Sequence, residues 1–287
     1  MIIAVAIIGA GPAGTATAIQ LKRSGCDFLL LEKNAVGGLL REANLVENFP
    51  GIPKGLPGRL LAARLQRQLA AAGIIAEKTA VRRLGYHDGR FTIHSEKRTL
   101  TAAKVVLACG TLPLPFAPPL DLPQLQGRTF TSVLPLLKKE KQTIAVIGGG
   151  DAACDYALNL ARKNRVHLVI RSGRPRALPL LLDRCRRHPN ITIHENSPVL
   201  AAAAATDGVI LKTREKEIVC QHVLTAIGRE PALHFLEPDL RTFLAELQRQ
   251  KKIYIVGDAG NGIFRQAAIA AADGLHAAME IAGGPTE

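Results

Sequence analysis

The chain opens on an unbroken apolar run, Ile2 to Ile8, that stops at Gly9-Ala10-Gly11-Pro12-Ala13-Gly14. A short apolar run bounded by glycine predicts a strand buried on both faces. Small residues at helical spacing follow to about Arg23, and a second apolar run, Phe28 to Leu31, ends in Glu32. The same order recurs later. Ile144 to Ile147 runs into Gly148-Gly149-Gly150, a helical stretch follows, and an apolar strand ends at Arg171, with Ala153 as the third small residue of the turn. Gly9 to Glu32 and Gly148 to Arg171 both span 23 positions, so the units superpose without a gap.

Between and after these units the pattern is coarser. Gly58 to Ala72 predicts a helix with Leu60, Leu61, Leu65 and Leu69 on one face. Ile74–Val81, Phe91–His94 and Val105–Leu107 read as short strands, with a hairpin turn at Asp88-Gly89. Residues 191–224 read as strands, although the five alanines Ala201 to Ala205 favour helix. A strand from Lys252 runs into Gly257-Asp258, and Phe264-Arg265-Gln266-Ala267 opens an alanine-rich helix to about Ala282. Two crossings, Ala108-Cys109-Gly110 and Ala226-Ile227-Gly228, share the pattern A-x-G-x-x-P on either side of the second unit. The expected class is therefore α/β, with two Rossmann-like, three-layer ββα domains, the second inserted in the first. Residues 1–112 and 229–287 would form one domain, and 113–228 the other.

A strand, glycine turn, helix, strand and acid are what a dinucleotide-binding βαβ unit needs. The first glycine permits the tight turn, the second lets backbone approach a pyrophosphate, and the third lets helix lie on strand. The helix N-terminus offers free N–H groups to the phosphates. The residue at the tip of the second strand separates the two sites. Glu32 favours free ribose hydroxyls, and Arg171 favours a 2′-phosphate. The first unit thus suits FAD and the second NADPH, with NADH as the alternative.

Composition narrows this further. A length of 287 residues allows about two domains, and 47% hydrophobic with 21% charged residues predicts a sizeable core. The apolar start lacks the basic flank of a signal peptide, and no run approaches the ~20 apolar residues of a membrane helix. The five cysteines show no CxxC and no metal-like spacing, which suggests reduced thiols, no metal site and a cytoplasmic protein. Net charge is +13, and residues 161–190 carry nine Lys or Arg against one acid. That excess reads either as a solvated helix face or as a dock for an acidic partner. With 4% aromatics and no Trp, nucleic acid is not the expected partner.

Taken together these pieces resemble the low-molecular-weight thioredoxin reductase family. The resemblance rests on GAGPAG, Glu32, the glycine pair Gly37-Gly38 followed by VENFPG, the ACG crossing, GGGDAA, Arg171, AIG, GD and RQA, in order over almost the whole chain. It implies FAD binding through Gly9, Gly11, Pro12, Ala13, Gly14, Glu32, Lys33, Gly37, Gly38, Leu39, Asn48, Val81, Cys109, Gly110, Gly257, Asp258, Arg265, Gln266 and Ala267. It implies NAD(P)H binding through Gly148, Gly150, Asp151, Ala152, Arg171, Ser172, Arg176, Ile227 and Gly228. It also implies a homodimer whose nicotinamide domain rotates.

The departures are informative. The family's redox CxxC lies a little before the second glycine turn, where this chain has Thr131 to Glu140 and no cysteine. Leu39 and Ser172 replace a frequent glutamine and a frequent second arginine, and the stretch from Pro231 to Lys252 is short. The expectation is an FAD-dependent NAD(P)H oxidoreductase that passes electrons onward without an internal dithiol, to an acidic carrier such as ferredoxin or flavodoxin. The chemistry is flavin-centred, with no side chain assigned a catalytic role. The rival readings are a reductase of a small disulfide, quinone or oxygen, and a flavin-binding sensor or assembly factor without turnover.

Overall fold

The computed structural model describes residues 2–115, 120 and 123–283. The chain divides into two compact units: Met1–Arg41, Val46–Leu112 and Glu230–Glu287 form one, and Glu42–Leu45 with Pro113–Arg229 form the other.

The first unit begins with strand β1 (Ile2–Ile8), helix α1 (Pro12–Arg23), β2 (Phe28–Glu32), α2 (Gly58–Ala71), β3 (Ala76–Lys78), β4 (Val81–His87), β5 (Arg90–Ser95) and β6 (Thr99–Leu107). The sheet runs β3-β2-β1-β6 in parallel and continues antiparallel into β5 and β4. The second half of β1, Val5 to Ile8, is apolar without alternation because both its faces are covered. Val5 and Ile7 pack with α1 and α2 residues Leu21 and Leu69, while Ala6 and Ile8 pack with Leu84, Phe91 and Ile93 of the antiparallel strands. Helix, sheet and hairpin thus form three layers. The chain leaves through β7 (Thr111–Pro113).

The second unit contains β8 (Thr129–Phe130), β9 (Thr143–Ile147), α3 (Asp151–Leu160), β10 (Arg165–Val169), α4 (Pro179–Arg187), β11 (Ile191–His194), β12 (Ala201–Ala205), β13 (Gly208–Lys212), β14 (Glu217–Cys220) and β15 (His222–Thr225). Its parallel sheet, β11-β10-β9-β15-β8, repeats the layering. Ile144 and Val146 face α3 and α4, while Ala145 faces Val209, Leu211 and Ile218 of the meander β12-β13-β14. Ala201–Ala205 is a strand, paired from Ala201↔Lys212 to Ala205↔Gly208. The ladder and the sheet surface beneath it override alanine's helical preference. The short segment Glu42–Leu45 clusters here because its polar groups find partners here. The Glu42 carboxylate accepts from Ser132 (2.8 Å) and Tyr156 (2.9 Å), and the Asn44 N–H donates to Asp155 (2.7 Å).

The chain returns through β16 (Arg229–Pro231), which pairs with β7. It then forms α5 (Pro238–Arg249), β17 (Ile253–Ile255), which adds to the first sheet beside β6, and α6 (Ala267–Ile281). Thr17 Oγ1 of α1 lies 2.9 Å from the Ala13 carbonyl and 3.1 Å from the Gly274 carbonyl of α6. A Cβ on Gly274 would stand 2.1 Å from the Ala13 oxygen. The alanine and glycine content of α6 is what lets it lie this close to α1.

Three sequence expectations change. Ile74–Val81 is not one strand: it breaks between Lys78 and Val81, where Thr79 N–H caps the β2 carbonyl of Glu32 at 3.0 Å. Val105–Leu107 is only the end of β6, whose polar beginning at Thr99 is held by its ladder with β5. The stretch after Pro231 is not merely trimmed. It forms α5, whose Leu240 and Leu247 are buried on the hairpin side of the sheet. The Asp88-Gly89 hairpin is present, with both residues at positive φ (49° and 76°). Among the described residues no helix is long and apolar enough to cross a membrane.

Candidate nucleotide-binding sites

Each glycine turn lies at the C-terminal end of its parallel sheet, where βαβ units present ligands. In the first unit, Gly9 N–H caps β2 at Leu31 (2.8 Å), and Ala108 N–H caps β1 at Ile8 (2.9 Å). Gly9 has φ of 106°, and a Cβ there would stand 2.3 Å from the Ala108 oxygen. In the second unit Gly148 caps Val169 (3.0 Å), Ala226 caps Ile147 (2.8 Å), and a Cβ on Gly148 would stand 2.4 Å from the Ala226 oxygen. The alanine common to the two crossings therefore has the same task in both: its carbonyl presses on the first glycine of the turn.

The third small position is tighter in the first unit. A Cβ on Gly14 would meet the Gly9 oxygen at 1.9 Å, whereas the second unit accommodates Ala153. At the second glycine the surroundings are open: a Cβ on Gly11 or on Gly150 would meet nothing within 4 Å. Crowding at the first and third positions with open space at the second fits a diphosphate resting on backbone. Gly11 and Gly150 are also the N-caps of α1 and α3, and neither helix start has a side-chain cap. Their first N–H groups remain for an anion. Pro12 and Ala13 open α1, and Asp151 and Ala152 open α3.

Glu32 is buried, and its two oxygens accept from the N–H groups of Ala10 (2.7 Å) and Asn34 (2.8 Å). A carboxylate offers about four acceptor sites, so two remain for ribose hydroxyls. The Gly37–Gly38 loop folds back on this turn. Gly37 N–H donates to the Ala10 carbonyl at 2.8 Å, and a Cβ on Gly38 would lie 3.5 Å from Gly11 Cα. Lys33 is exposed and Leu39 half-buried beside them. Asn48 Nδ2 donates to Gln266 Oε1 at 2.8 Å, joining the VENFPG loop to the N-cap of α6. Gly257 N–H donates to Asp273 Oδ2 at 3.1 Å, and Asn261 donates to the same oxygen, so the loop holding Asp258 and Arg265, up to Ala267 at the start of α6, is braced from within that helix. No motif points to Asp273 or Asn261; a lone Asp in an alanine-rich helix is the one signal that could have found the brace. Val81 opens β4 at the end of the sheet edge, and Gly110 takes a positive φ of 66° after Cys109.

In the second unit, Arg171 follows β10 and is exposed, as are Ser172, Arg174 and Arg176. The loop curls over the glycine turn: the N–H groups of Arg176 and Ala177 donate to the Gly149 carbonyl at 2.7 and 3.0 Å. Arg176 is thus rooted at the turn itself. Asp151 Oδ1 accepts the Leu178 N–H at 2.8 Å and clips the loop to α3. Ser172 Oγ donates to the Arg174 carbonyl at 3.2 Å. Ile227 and Gly228 are exposed beyond β15.

Two of the thiols are held protonated by burial. Burial pushes Cys109 and Cys220 each up to about 11, so neither forms a thiolate near neutral pH. Cys154 and Cys185 are fully buried neighbours, and Cys185 Sγ lies 3.6 Å from the Cys154 carbonyl. In the segment before the second glycine turn, Ser132 donates to Glu42 and Leu134 is exposed. Among the described residues, no group of three or more His, Cys, Asp or Glu could hold a metal ion.

The family model described as pyridine nucleotide-disulphide oxidoreductase matches residues 3–274. The NADPH-dependent thioredoxin reductase 3 of Arabidopsis thaliana is 30% identical over 96% of this chain, which spans 57% of that relative's length. The thioredoxin reductase of Treponema pallidum (strain Nichols) is 29% identical, over 96% of this chain and 94% of its own. The crystal structure of Lactococcus lactis thioredoxin reductase superposes with a TM-score of 0.85 at 24% identity, covering 97% of both chains.

Proposed function

The chain belongs to the pyridine nucleotide-disulphide oxidoreductase family, and on that premise we propose that it is an FAD-dependent NADPH oxidoreductase of thioredoxin-reductase-like fold that passes electrons to an acidic carrier, ferredoxin or flavodoxin, without an internal dithiol. The observation that carries the reading is the pair of matched glycine turns with opposite charges at the strand tip, Glu32 in one and Arg171 in the other. When bound, FAD supplies the capacity to take two electrons from NADPH and release them singly.

The protein's own residues bind and orient. The Gly9-Gly11-Gly14 turn and the uncapped start of α1 would hold the FAD diphosphate, Glu32 would accept from the adenosine ribose, and the Asn48–Gln266 pair with the braced Gly257–Asp258 turn would hold the flavin end. Gly148 and Gly150 would do the same for NADPH, while Arg171 and Arg176 would meet its 2′-phosphate. A guanidinium so placed presents paired donors to phosphate and gains nothing from a free hydroxyl. Departure of electrons by a direct route is supported by cysteine spacing, since no two of the five stand as CxxC. An acidic acceptor is supported by the nine basic residues against one acid between 161 and 190. The protein works as a homodimer in the cytoplasm. The apolar residues Ile269, Leu275 and Met279 exposed on α6 support the first, and the free thiols the second.

The test is an anaerobic titration of the yellow protein with NADPH and with NADH, followed by flavin bleaching. Near-stoichiometric bleaching by NADPH, then ferredoxin reduction that slows with rising salt, is the expected result. A flavin that dithionite bleaches and neither nucleotide does refutes the proposal.

A further inference from the structure

Helix α4 carries a surface that nucleotide binding does not use. Its inner side is fixed by Leu182 and Cys185, both in the core against α3. Its outer side places Leu180, Arg184 and Arg187 at i, i+4 and i+7, which is one face of a helix. Leu180 is 57% exposed, and Leu178, just before the helix, is 56% exposed. Single exposed leucines are ordinary, but here Leu178, Pro179 and Leu180 are three consecutive exposed apolar residues. Arginine surrounds this patch. Arg174 precedes the patch and Arg187 closes it, both are exposed, and neither has a carboxylate partner among the described residues. Arg186, on the adjacent side, is already paired with Asp183 and Glu195. The patch is also held rigidly, because Leu178 N–H is clipped to Asp151 and the loop before it to Gly149.

We propose that Leu178, Leu180 and Arg187 form the docking surface for the acidic electron carrier. This rests on the reading that electrons leave to such a carrier, and adds where it binds and through which side chains. An apolar centre with a charged rim is the anatomy of a specific protein contact. Rim charges of one sign speed encounter with a partner of the other. An anionic bilayer would recognise the same charge. Two leucines on a helix whose other side is core give it little to insert, whereas a small transient protein interface needs no more.

The experiment is NADPH-driven reduction of a plant-type ferredoxin by the FAD-loaded protein, alongside reduction of ferricyanide, which needs no dock. In Leu178→Ser and Leu180→Ser the KM for ferredoxin rises about tenfold or more, while the KM for NADPH and the ferricyanide rate stay at wild-type values. Arg187→Glu raises the same KM and flattens its dependence on salt. An unchanged ferredoxin KM in all three variants overturns the proposal. If the wild-type protein reduces neither ferredoxin nor flavodoxin, the functional reading fails. The surface is then read without turnover, by calorimetric titration with oxidised ferredoxin. Binding lost in the leucine variants sustains the dock, and no binding by wild type overturns it. Sedimentation with vesicles of phosphatidylcholine and phosphatidylglycerol that the leucine variants lose assigns the patch to lipid and overturns it as well.

Discussion

His167 of β10 and His194 of β11 lie on the meander side of the second sheet, with His167 Nδ1 and His194 Nε2 2.9 Å apart. A contact between two ring nitrogens requires that one carry a proton and the other a lone pair, so at most one ring is charged. His194 Nδ1 is buried without a partner. A buried bare lone pair costs less than a buried unpaired N–H, so the favoured arrangement has His194 Nε2–H donating to His167 Nδ1. Burial first, then Lys216, then His167 push His194 down to about 4 from 6.5. Burial and then Lys216 also lower His167. Because the folded His194 resists a proton that the unfolded chain accepts, its contribution to stability is complete above about pH 6.5 and is lost as pH falls toward 4. Each pH unit between the folded and unfolded values corresponds to about 1.4 kcal/mol, so the loss attributable to His194 is at most about 3 kcal/mol, and water reaching the ring makes it smaller. Urea unfolding of the FAD-loaded protein across this window measures it. Wild type loses stability steeply, and His194→Gln, with no titrating ring, loses less over the same window. Parallel pH profiles for the two proteins refute the reasoning.

Gly14→Val places side-chain atoms where a Cβ alone meets the Gly9 oxygen at 1.9 Å; the variant should purify without FAD, and a wild-type flavin content would disprove the close approach. Arg171→Ala should raise the KM for NADPH by about one to two orders of magnitude and leave NADH unchanged; equal losses for both would show that Arg171 does not read the phosphate. Leu247→Ala removes a side chain 3% exposed under the first sheet and should cost about 2–4 kcal/mol in urea unfolding. Tyr156→Phe leaves the buried Glu42 carboxylate with one hydroxyl donor, Ser132, instead of two; a loss of about 1–3 kcal/mol is expected, and no loss would mean that water replaces the phenol.

Much of the candidate site was legible because glycine turns act locally. Whether Gly14 can lie under a helix depends first on the Gly9 oxygen within the same βαβ unit, whereas the crowding at Gly9 and Gly148 comes from Ala108 and Ala226, far along the chain. The recurrence of A-x-G after the last strand of each unit was visible too, although its reason, an alanine carbonyl oxygen wedged against the turn, needed coordinates. Period and spacing alone cut short one element whose stability is borrowed: β6 extends back to Thr99 only because β5 pairs with it. Ala201–Ala205, expected as strand against alanine's helical preference, is held by its ladder with β13. The signal for α5, Leu240, Leu244 and Leu247 at helical spacing, was present but short.

Local sequence was enough to establish the two glycine-turn units and the contrast between an acid and a base at their corresponding strand tips. These follow from backbone sterics and from charge, which neighbouring residues settle. Packing chose which polar groups meet across long separations. It brought Asn48 to Gln266, Glu42 to Tyr156 and His167 to His194, and it clipped the Leu178 N–H to Asp151. No local rule specifies such pairs, because their geometry depends on how whole layers stack. The same stacking left Leu178 and Leu180 in solvent while burying Leu182 beside them.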